Sequence, residues 1–329
     1  MPPVFVTGGT GYLGSALVSR LAREGEEVVV LCRDPARFLP PAVSVRAVQG
    51  DVVDRESLRR GLRGCDRIFH AAAHVKMWDS DPRRFEAINV GGLQNILSAA
   101  EELSVTRIVY TSSFIALGPT DGATGDESWI PSPRTFHNEY ERTKALSDRA
   151  AREAAAHGAP IVILYPGVIY GPGPATGGNL VGKTVSDYLE RRLPGILGPG
   201  DRRFCYAYGA DVVQGHLQAL RSAPPGGRFI LGGENLTMLQ LMAELERLTK
   251  IPPPRRRIPY SLAGLVGRMQ RWRANLTGKE PEITDEVVSI YRHEWAYSSL
   301  KAQRELGYTI TPFSRGLEET VRSLREGRT

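Results

Sequence analysis

The stretch Val4-Phe5-Val6-Thr7-Gly8-Gly9-Thr10-Gly11-Tyr12-Leu13-Gly14 constrains this chain more than any other. Three apolar residues suited to an extended strand run straight into a glycine-rich turn, and Leu13, Leu17 and Leu21 then recur at helical spacing. Strand, glycines, helix is the order that a pyrophosphate cradle requires. Glycines let the backbone turn tightly and approach phosphate oxygens with no Cβ in the way. The helix N-terminus beyond them offers unpaired N–H groups and a positive dipole end. Glycine-rich turns also serve as plain strand-to-helix connections, but here both flanking elements agree on the nucleotide reading.

Strand and helix signals alternate through the first half, which implies a parallel sheet covered on both faces. Strands are predicted at 27–32, 44–48, 67–70, 107–110 and 161–165, and helices at 55–62, 85–103 and 138–157. Gly/Pro-rich loops at 171–178 and 195–200 then break the alternation. A strand at 228–231 is expected to return to the sheet, and the remainder from Thr237 reads as mainly helical. The expected class is α/β. A doubly wound parallel-sheet domain spans 1–170, with 205–233 returning to it, and a smaller, mainly helical substrate-binding lobe spans 171–204 and 234–329.

Composition narrows the function classes. With 41% hydrophobic and 24% charged residues among 329, the chain is of ordinary globular make-up. No apolar run is long enough to cross a bilayer, and a first strand beginning at Val4 leaves no room for a secretory leader. Cys32, Cys65 and Cys205 show neither metal-ligand nor paired spacing, so no metal is expected and a reducing, cytoplasmic setting fits. The formal charge of +6 suits a phosphate-rich cofactor, and no zinc-finger or aromatic–basic pattern points to nucleic acid.

Tyr140 and Lys144 lie four apart on a predicted helix, so their side chains leave the same face about one turn apart. Such a pair is usually a surface pair; a dinucleotide loop upstream and serines after the preceding strand reverse that expectation. An unperturbed phenol ionises near pKa ~10, too high for efficient proton transfer at neutral pH. A neighbouring ammonium favours the phenolate.

Thr7-Gly8-x-x-Gly11-x-x-Gly14, Asp51-Val52, His70-Ala71-Ala72-Ala73, Asn89-Val90-Gly91-Gly92, Ser112-Ser113, Tyr140-x-x-x-Lys144 and Tyr165-Pro166-Gly167-Val168 together resemble the extended short-chain dehydrogenase/reductase superfamily. The likeness covers nearly the whole chain and falls in its dihydroflavonol-4-reductase-like branch, nearest to plant farnesol dehydrogenase. Tyr110 to Gly118, Glu139 to Ala145 and Arg292 to Ser298 carry that nearer likeness.

The resemblance implies a Rossmann domain in which Gly8, Gly11, Tyr12, Leu13 and Gly14 hold the pyrophosphate and Asp51-Val52 sit by the adenine. Ala71, Ala72 and Ala73 would line the nicotinamide side, with Pro166, Gly167 and Val168 supporting the ring. It further implies that Tyr140 passes a proton to or from the substrate oxygen. Lys144 would bind the nicotinamide ribose and tune Tyr140, and Ser113 would orient the carbonyl. Members often dimerise through the two helices corresponding to 85–103 and 138–157, so a homodimer is one outcome.

NAD sites usually place a carboxylate at the end of the second strand. Here Cys32 takes that place, with Arg33 and then Asp34 following and Arg37 close by. A cation there suits a 2′-phosphate, so NADP is favoured over NAD, although the similar farnesol dehydrogenase has arginine here and uses NAD. On the substrate side, His74, Met77, Trp78 and Phe114 could form an apolar wall, or pack locally. The segment Gly200–Phe204 resembles that in which sugar-nucleotide epimerases place a diphosphate-binding arginine. Ser261–Leu276 mixes apolar and basic residues and reads as a helix packed over the pocket, with membrane-surface contact as the alternative.

The leading expectation is hydride transfer between a nicotinamide and a hydrophobic alcohol or carbonyl, isoprenoid-like or aromatic. The alternative is an NAD-retaining sugar-nucleotide epimerase, for which the same serine, tyrosine and lysine would suffice.

Overall fold

A computed structural model describes residues 2–129, 135–173 and 179–327, so part of the glycine-rich loop expected at 171–178 lies outside the described residues. Six strands are laid down first: β1 (Val4–Thr7), β2 (Val28–Cys32), β3 (Val45–Gln49), β4 (Arg67–His70), β5 (Arg107–Thr111) and β6 (Ile161–Pro166). The chain then forms β7 (Val168–Tyr170), β8 (Ile196–Leu197), β9 (Arg203–Tyr208), β10 (Arg228–Leu231), β11 (Asn235–Thr237) and β12 (Arg257–Ile258). The first six and β10 make one seven-stranded parallel sheet in the order β10-β6-β5-β4-β1-β2-β3. β11, β9 and β7 form a small second sheet, and β12 pairs with β8.

β1, β2 and β6 are buried at every residue, because both faces of the large sheet are covered. Side chains alternate between those faces. Val4, Val6, Val28 and Val30 pack with residues of α1 (Tyr12–Arg23), whereas Phe5, Val29 and Leu31 pack with α2 (Arg55–Leu62). Further along the chain come α3 (Arg83–Glu86), α4 (Gly92–Glu102), α5 (Glu139–Ala156), α6 (Leu180–Leu189) and α7 (Gly209–Ser222). α4 and α5 share the α2 face, and α7 lies beside α1. The strand order reverses between β1 and β4, and their C-terminal ends open a crevice of the kind in which ligands bind in such sheets.

The helix expected at 85–103 runs unbroken over 83–102 but is not regular throughout. α3 and α4 are joined by a wide π-turn over Ala87–Gly91 that turns Asn89 into the protein. The C-terminal region adds α8 (Met238–Thr249), α9 (Tyr260–Thr277), α10 (Asp285–Ile290), α11 (Leu300–Leu306) and α12 (Phe313–Glu326).

One extended segment, Glu294 to Ser298, stitches this region to the rest. Trp295 exchanges backbone hydrogen bonds with Arg203 and Cys205, and Gly125 does so with Ala296 and Ser298. Glu294 holds the Arg203 guanidinium through both carboxylate oxygens and accepts from the Gly122 N–H, which together with Arg203 pulls its carboxyl down to about 2. Trp295 is fully buried, packs edge-on to Phe114 and donates from Nε1 to the Ile290 carbonyl at 3.0 Å. Trp295→Ala should therefore cost roughly 3–5 kcal/mol, read as a lower denaturant midpoint.

Candidate active site

The glycine loop is shaped by contacts that no side chain could survive. Gly8 takes a positive φ of +75°, and a Cβ on it would lie 2.5 Å from the Ala72 nitrogen. A Cβ on Gly14 would lie 2.1 Å from the Gly8 carbonyl oxygen. These glycines press the start of α1 onto the turn and the turn onto the chain leaving β4. Gly11 is exposed, and its N–H closes the loop onto the Gly8 carbonyl at 2.9 Å.

α1 begins at Gly11 with no side-chain cap and no acid in its first turn, whereas α2, α5 and α8 are capped by Asp54, Asn138 and Thr237. Its free N–H groups and dipole end thus fit an anion, and the glycine cradle fits a dinucleotide pyrophosphate. Tyr12 lies over the 171–173 loop, donating to the Pro172 carbonyl at 3.2 Å, and Leu13 packs beneath the helix.

β4 delivers Ala71, Ala72 and Ala73 beside the loop. Thr7 fixes them by accepting from the Ala71 N–H on its carbonyl and from the Ala72 N–H on its hydroxyl. The Thr7 hydroxyl and His70 Nδ1 lie 2.7 Å apart. Burial, reinforced by Lys144, pushes His70 down to about 3, so its ring is neutral and Nδ1 can accept that hydroxyl proton. Asp51 and Val52 follow β3: Asp51 accepts from the Val53 N–H, and Val52 is buried against Gly92 with its carbonyl held by Asn95. At the other end of the crevice, a Cβ on Gly167 would sit 2.4 Å from the Cys205 carbonyl, so Pro166-Gly167-Val168 crosses there from the large sheet to the small one.

α5 carries a polar inner face. Tyr140, Thr143, Lys144, Ser147 and Asp148 are all buried, although the helix reads as alanine-rich. Tyr140 lies beside the hydroxyl of Ser113, which caps the turn after β5 by accepting from the Ile115 N–H. The adjacent Ser112 is fixed by its N–H on the Leu164 carbonyl. Lys144 Nζ donates to the Thr111 carbonyl at 3.1 Å and lies 5.5 Å from the centre of the Tyr110 ring. Burial lowers Lys144 to about 8, with Asp148 one turn further on opposing the shift.

The expected net lowering of Tyr140 does not hold in the protein alone. Burial pushes the phenol up to about 12, with the neighbouring Ser113 hydroxyl working against it. At neutral pH the Tyr140 hydroxyl is therefore protonated.

Arg33 is exposed at the end of β2, and among the described residues no carboxylate lies within ion-pair distance of it. Asp34 instead caps Ala36 and pairs with Arg37 at 3.1 Å.

The substrate-side candidates separate. His74 puts its Nε2 2.8 Å from Asp79 and its ring edge-on to Phe85, and Phe114 lies between the edges of Trp295 and Tyr297. Both are committed to packing rather than to an open wall. Met77 receives the Asn138 side chain at the N-terminus of α5, and half-buried Trp78 reaches Asn275 of α9.

The family described as NAD dependent epimerase/dehydratase matches residues 4–232. The chain belongs to this family. The family lies within the extended short-chain dehydrogenase/reductase superfamily, and the match spans the glycine loop, the serines and the tyrosine–lysine pair. The chain is 32% identical over 324 residues to the sterol demethylase protein B of Methylococcus capsulatus, with 98% of each covered. It is 31% identical over 327 residues to a Synechocystis protein carried under the provisional name dihydroflavonol 4-reductase, covering 96% of this chain and 93% of that one. The solved structure of gox2253 superposes with a TM-score of 0.82 at 27% identity over 99% of both chains.

Two residues beside the candidate site escaped the sequence reasoning as individuals. Asn89 accepts from the His74 N–H at 2.7 Å and donates to the Thr143 hydroxyl at 3.0 Å, tying the loop after β4 to α5 between Tyr140 and Lys144. Asp148 is the carboxylate facing Lys144; its four-residue spacing after Lys144 was the available signal.

Gly14→Ala should weaken dinucleotide binding by more than about tenfold in calorimetric titration, because the cradle must open to admit the new methyl. Lys144 gives a pH signature. Between its folded value of about 8 and its ordinary value of 10.5, the unfolded chain binds more protons at this site than the folded one. Its contribution to stability therefore rises with pH across that window. Urea midpoints of wild type relative to Lys144→Met should rise from pH 8 to pH 10; a constant difference would mean that Lys144 titrates as an exposed lysine does.

Proposed function

We propose that this family member is an NAD(P)-dependent oxidoreductase that interconverts a hydrophobic alcohol and its carbonyl compound, with Ser113, Tyr140 and Lys144 as its catalytic set. The observation that carries the reading is the buried Tyr140 side chain, set beside Ser113 on a helix that also brings Lys144 to the C-terminal end of β5. The bound nicotinamide supplies hydride donation or acceptance.

The chain's own residues do the rest. The loop Gly8–Gly14 and the uncapped start of α1 hold the pyrophosphate, Asp51 and Val52 the adenine end, and Ala71–Ala73 with Pro166–Val168 the nicotinamide end. Ser113 orients the substrate oxygen against Tyr140. Tyr140, protonated at neutral pH, gives its proton to a carbonyl oxygen; in the reverse direction it takes the alcohol proton. Lys144 binds the ribose, where its ammonium also favours the phenolate that proton donation leaves. In this reading, residues 1–170 with 205–233 form the nucleotide half, and 171–204 with 234–329 the substrate half.

Exposed Arg33, with Asp34 turned to Ala36 and Arg37, supports NADP over NAD. Met77 at the start of α5 supports an apolar substrate, as do the sterol and dihydroflavonol in the names of two relatives. A second reading, an NAD-retaining sugar-nucleotide epimerase, is favoured by one feature. Arg202 lies near Tyr260, and Arg292 lies 5.5 Å over the Tyr260 ring, which together form a cationic corner. Arg203 does not add to it, being held by Glu294.

The test is nicotinamide absorbance with purified protein and farnesol, farnesal and other apolar alcohols and carbonyls. Turnover that requires added cofactor supports the oxidoreductase; NAD released from denatured protein, with no such turnover, supports the epimerase. Tyr140→Phe should lose about 10²-fold or more in kcat while cofactor binding stays near normal. Arg33→Ala should weaken NADP binding about fivefold or more and leave NAD binding nearly unchanged.

A further inference from the structure

Six of the fourteen exposed large apolar side chains among the described residues sit on one helix, α9: Leu262, Leu265, Val266, Met269, Trp272 and Leu276. At 3.6 residues per turn they form a stripe covering about a third of the helix circumference. Trp272 and Leu276 are 68% and 67% exposed. The opposite side is built of small residues. Ala263, Gly264, Gly267 and Ala274 are buried, and a Cβ on Gly267 would lie 2.4 Å from the Asp285 nitrogen. α9 is thus seated on α10 by its small residues and turns its large apolar ones outward. This reverses the usual surface helix and the packing expected for 261–276.

The charges on α9 have one sign. It carries Arg268, Arg271 and Arg273 and no carboxylate. Arg271 is held by Asp285 and Glu286, while Arg268 and Arg273 are exposed along and within the apolar stripe. Just beyond the helix, Lys279 and Glu282 are exposed, and Glu280 pairs with Lys76 at 3.5 Å.

We propose that α9 is a peripheral membrane-docking helix that lies on an anionic phospholipid surface. Its leucines, Met269 and Trp272 would enter the boundary between head groups and acyl chains, and Arg268 and Arg273 would meet lipid phosphates. Indole is suited to that boundary, where its ring is apolar and its N–H stays wet. Charge argues against a second copy as the occupant. A two-fold interface would lay the arginine-bearing stripe on itself, with no carboxylate on the helix to pair. Docking differs from spanning: among the described residues no helix is long and apolar enough to cross a membrane. The Trp78–Asn275 hydrogen bond joins α9 to the loop that carries Ala71–Ala73. A docked protein would therefore hold its crevice near the lipid surface; only this consequence, entry of an apolar substrate from the bilayer, rests on the proposed hydride chemistry.

The test is flotation of the purified full-length protein with vesicles of phosphatidylcholine alone, or of phosphatidylcholine with phosphatidylglycerol. Binding to the anionic vesicles should be about tenfold greater. It should fall severalfold as salt approaches ~1 M, where the screening length shrinks to about 3 Å. The double variant Met269→Glu/Trp272→Glu should lose about tenfold in vesicle binding, with unchanged circular dichroism and unchanged cofactor affinity. Arg268→Gln/Arg273→Gln should lose the preference for anionic lipid. Absence of wild-type binding to both vesicle types would overturn the proposal, as would undiminished binding of the glutamate variant. So would a dimer in light scattering that the glutamate variant dissociates, with no vesicle binding; the stripe would then be a contact between copies. None of these readouts needs turnover, so their failure is separable from failure of the oxidoreductase reading.

Discussion

Backbone lying directly on backbone at the ends of β1 and β4 is the contact on which the candidate site depends. Gly14 rests on the Gly8 carbonyl, and Gly8 rests on Ala71 and Ala72. A single methyl at either glycine would separate layers that are otherwise in van der Waals contact, and close-packed interiors yield little. The same approach sets the start of α1 and the position of Ala71–Ala73, so both sides of the candidate site are fixed by one arrangement. Thr7 reinforces it through its carbonyl and hydroxyl, and the neutral state of buried His70 lets that hydroxyl serve both neighbours.

Around this frame the protein buries groups that stability alone would leave in water. Lys144, Tyr140 and Asp148 all lie on the inner side of α5, and burial shifts each toward its neutral form. Lys144 has the Thr111 carbonyl for a hydrogen bond, and Asp148 is shared with Tyr165 and Arg152. Burying an ammonium against so few partners costs stability unless something else must be held there. Such perturbed groups cluster at functional sites more often than elsewhere. α5 tolerates them because Asn138 caps its start and Asn89 braces its middle through Thr143.

The glycine loop and the large sheet were legible because their signals are local. Turn chemistry fixes the end of β1, and unbroken apolar runs mark strands covered on both sides; β2 and β6 fall within one residue of the predicted bounds. What was not legible depends on partners distant in sequence. The π-turn at Ala87–Gly91 has no periodic signature; it exists where Asn89 turns in to meet His74 and Thr143. His74 and Phe114 look like pocket residues until Asp79, Phe85, Trp295 and Tyr297 occupy their surroundings. α9 shows the limit most clearly. Periodicity reveals an apolar stripe but not which side of the helix is covered, and here close seating on α10 selected alanine and glycine for the buried side.

The segment Glu294–Ser298 ties the C-terminal region to the serine loop in a way that bears on specificity. Phe114 directly follows Ser113 and is clasped by the edges of Trp295 and Tyr297, and the Tyr297 hydroxyl donates to the Gly118 carbonyl at the far end of the same loop. Glu294 anchors the arrangement through Arg203 and Gly122, and Thr120 closes it with bonds to Glu294 and Ala296. Ser113 is therefore positioned by the chain's last third as much as by β5. If that third forms the substrate half, then a substrate that shifts it must also shift the hydroxyl assigned to orient the reacting oxygen. Selection and catalysis would then share one mechanical element, and substitutions at Trp295 or Tyr297 would alter kcat without touching Tyr140 or Lys144.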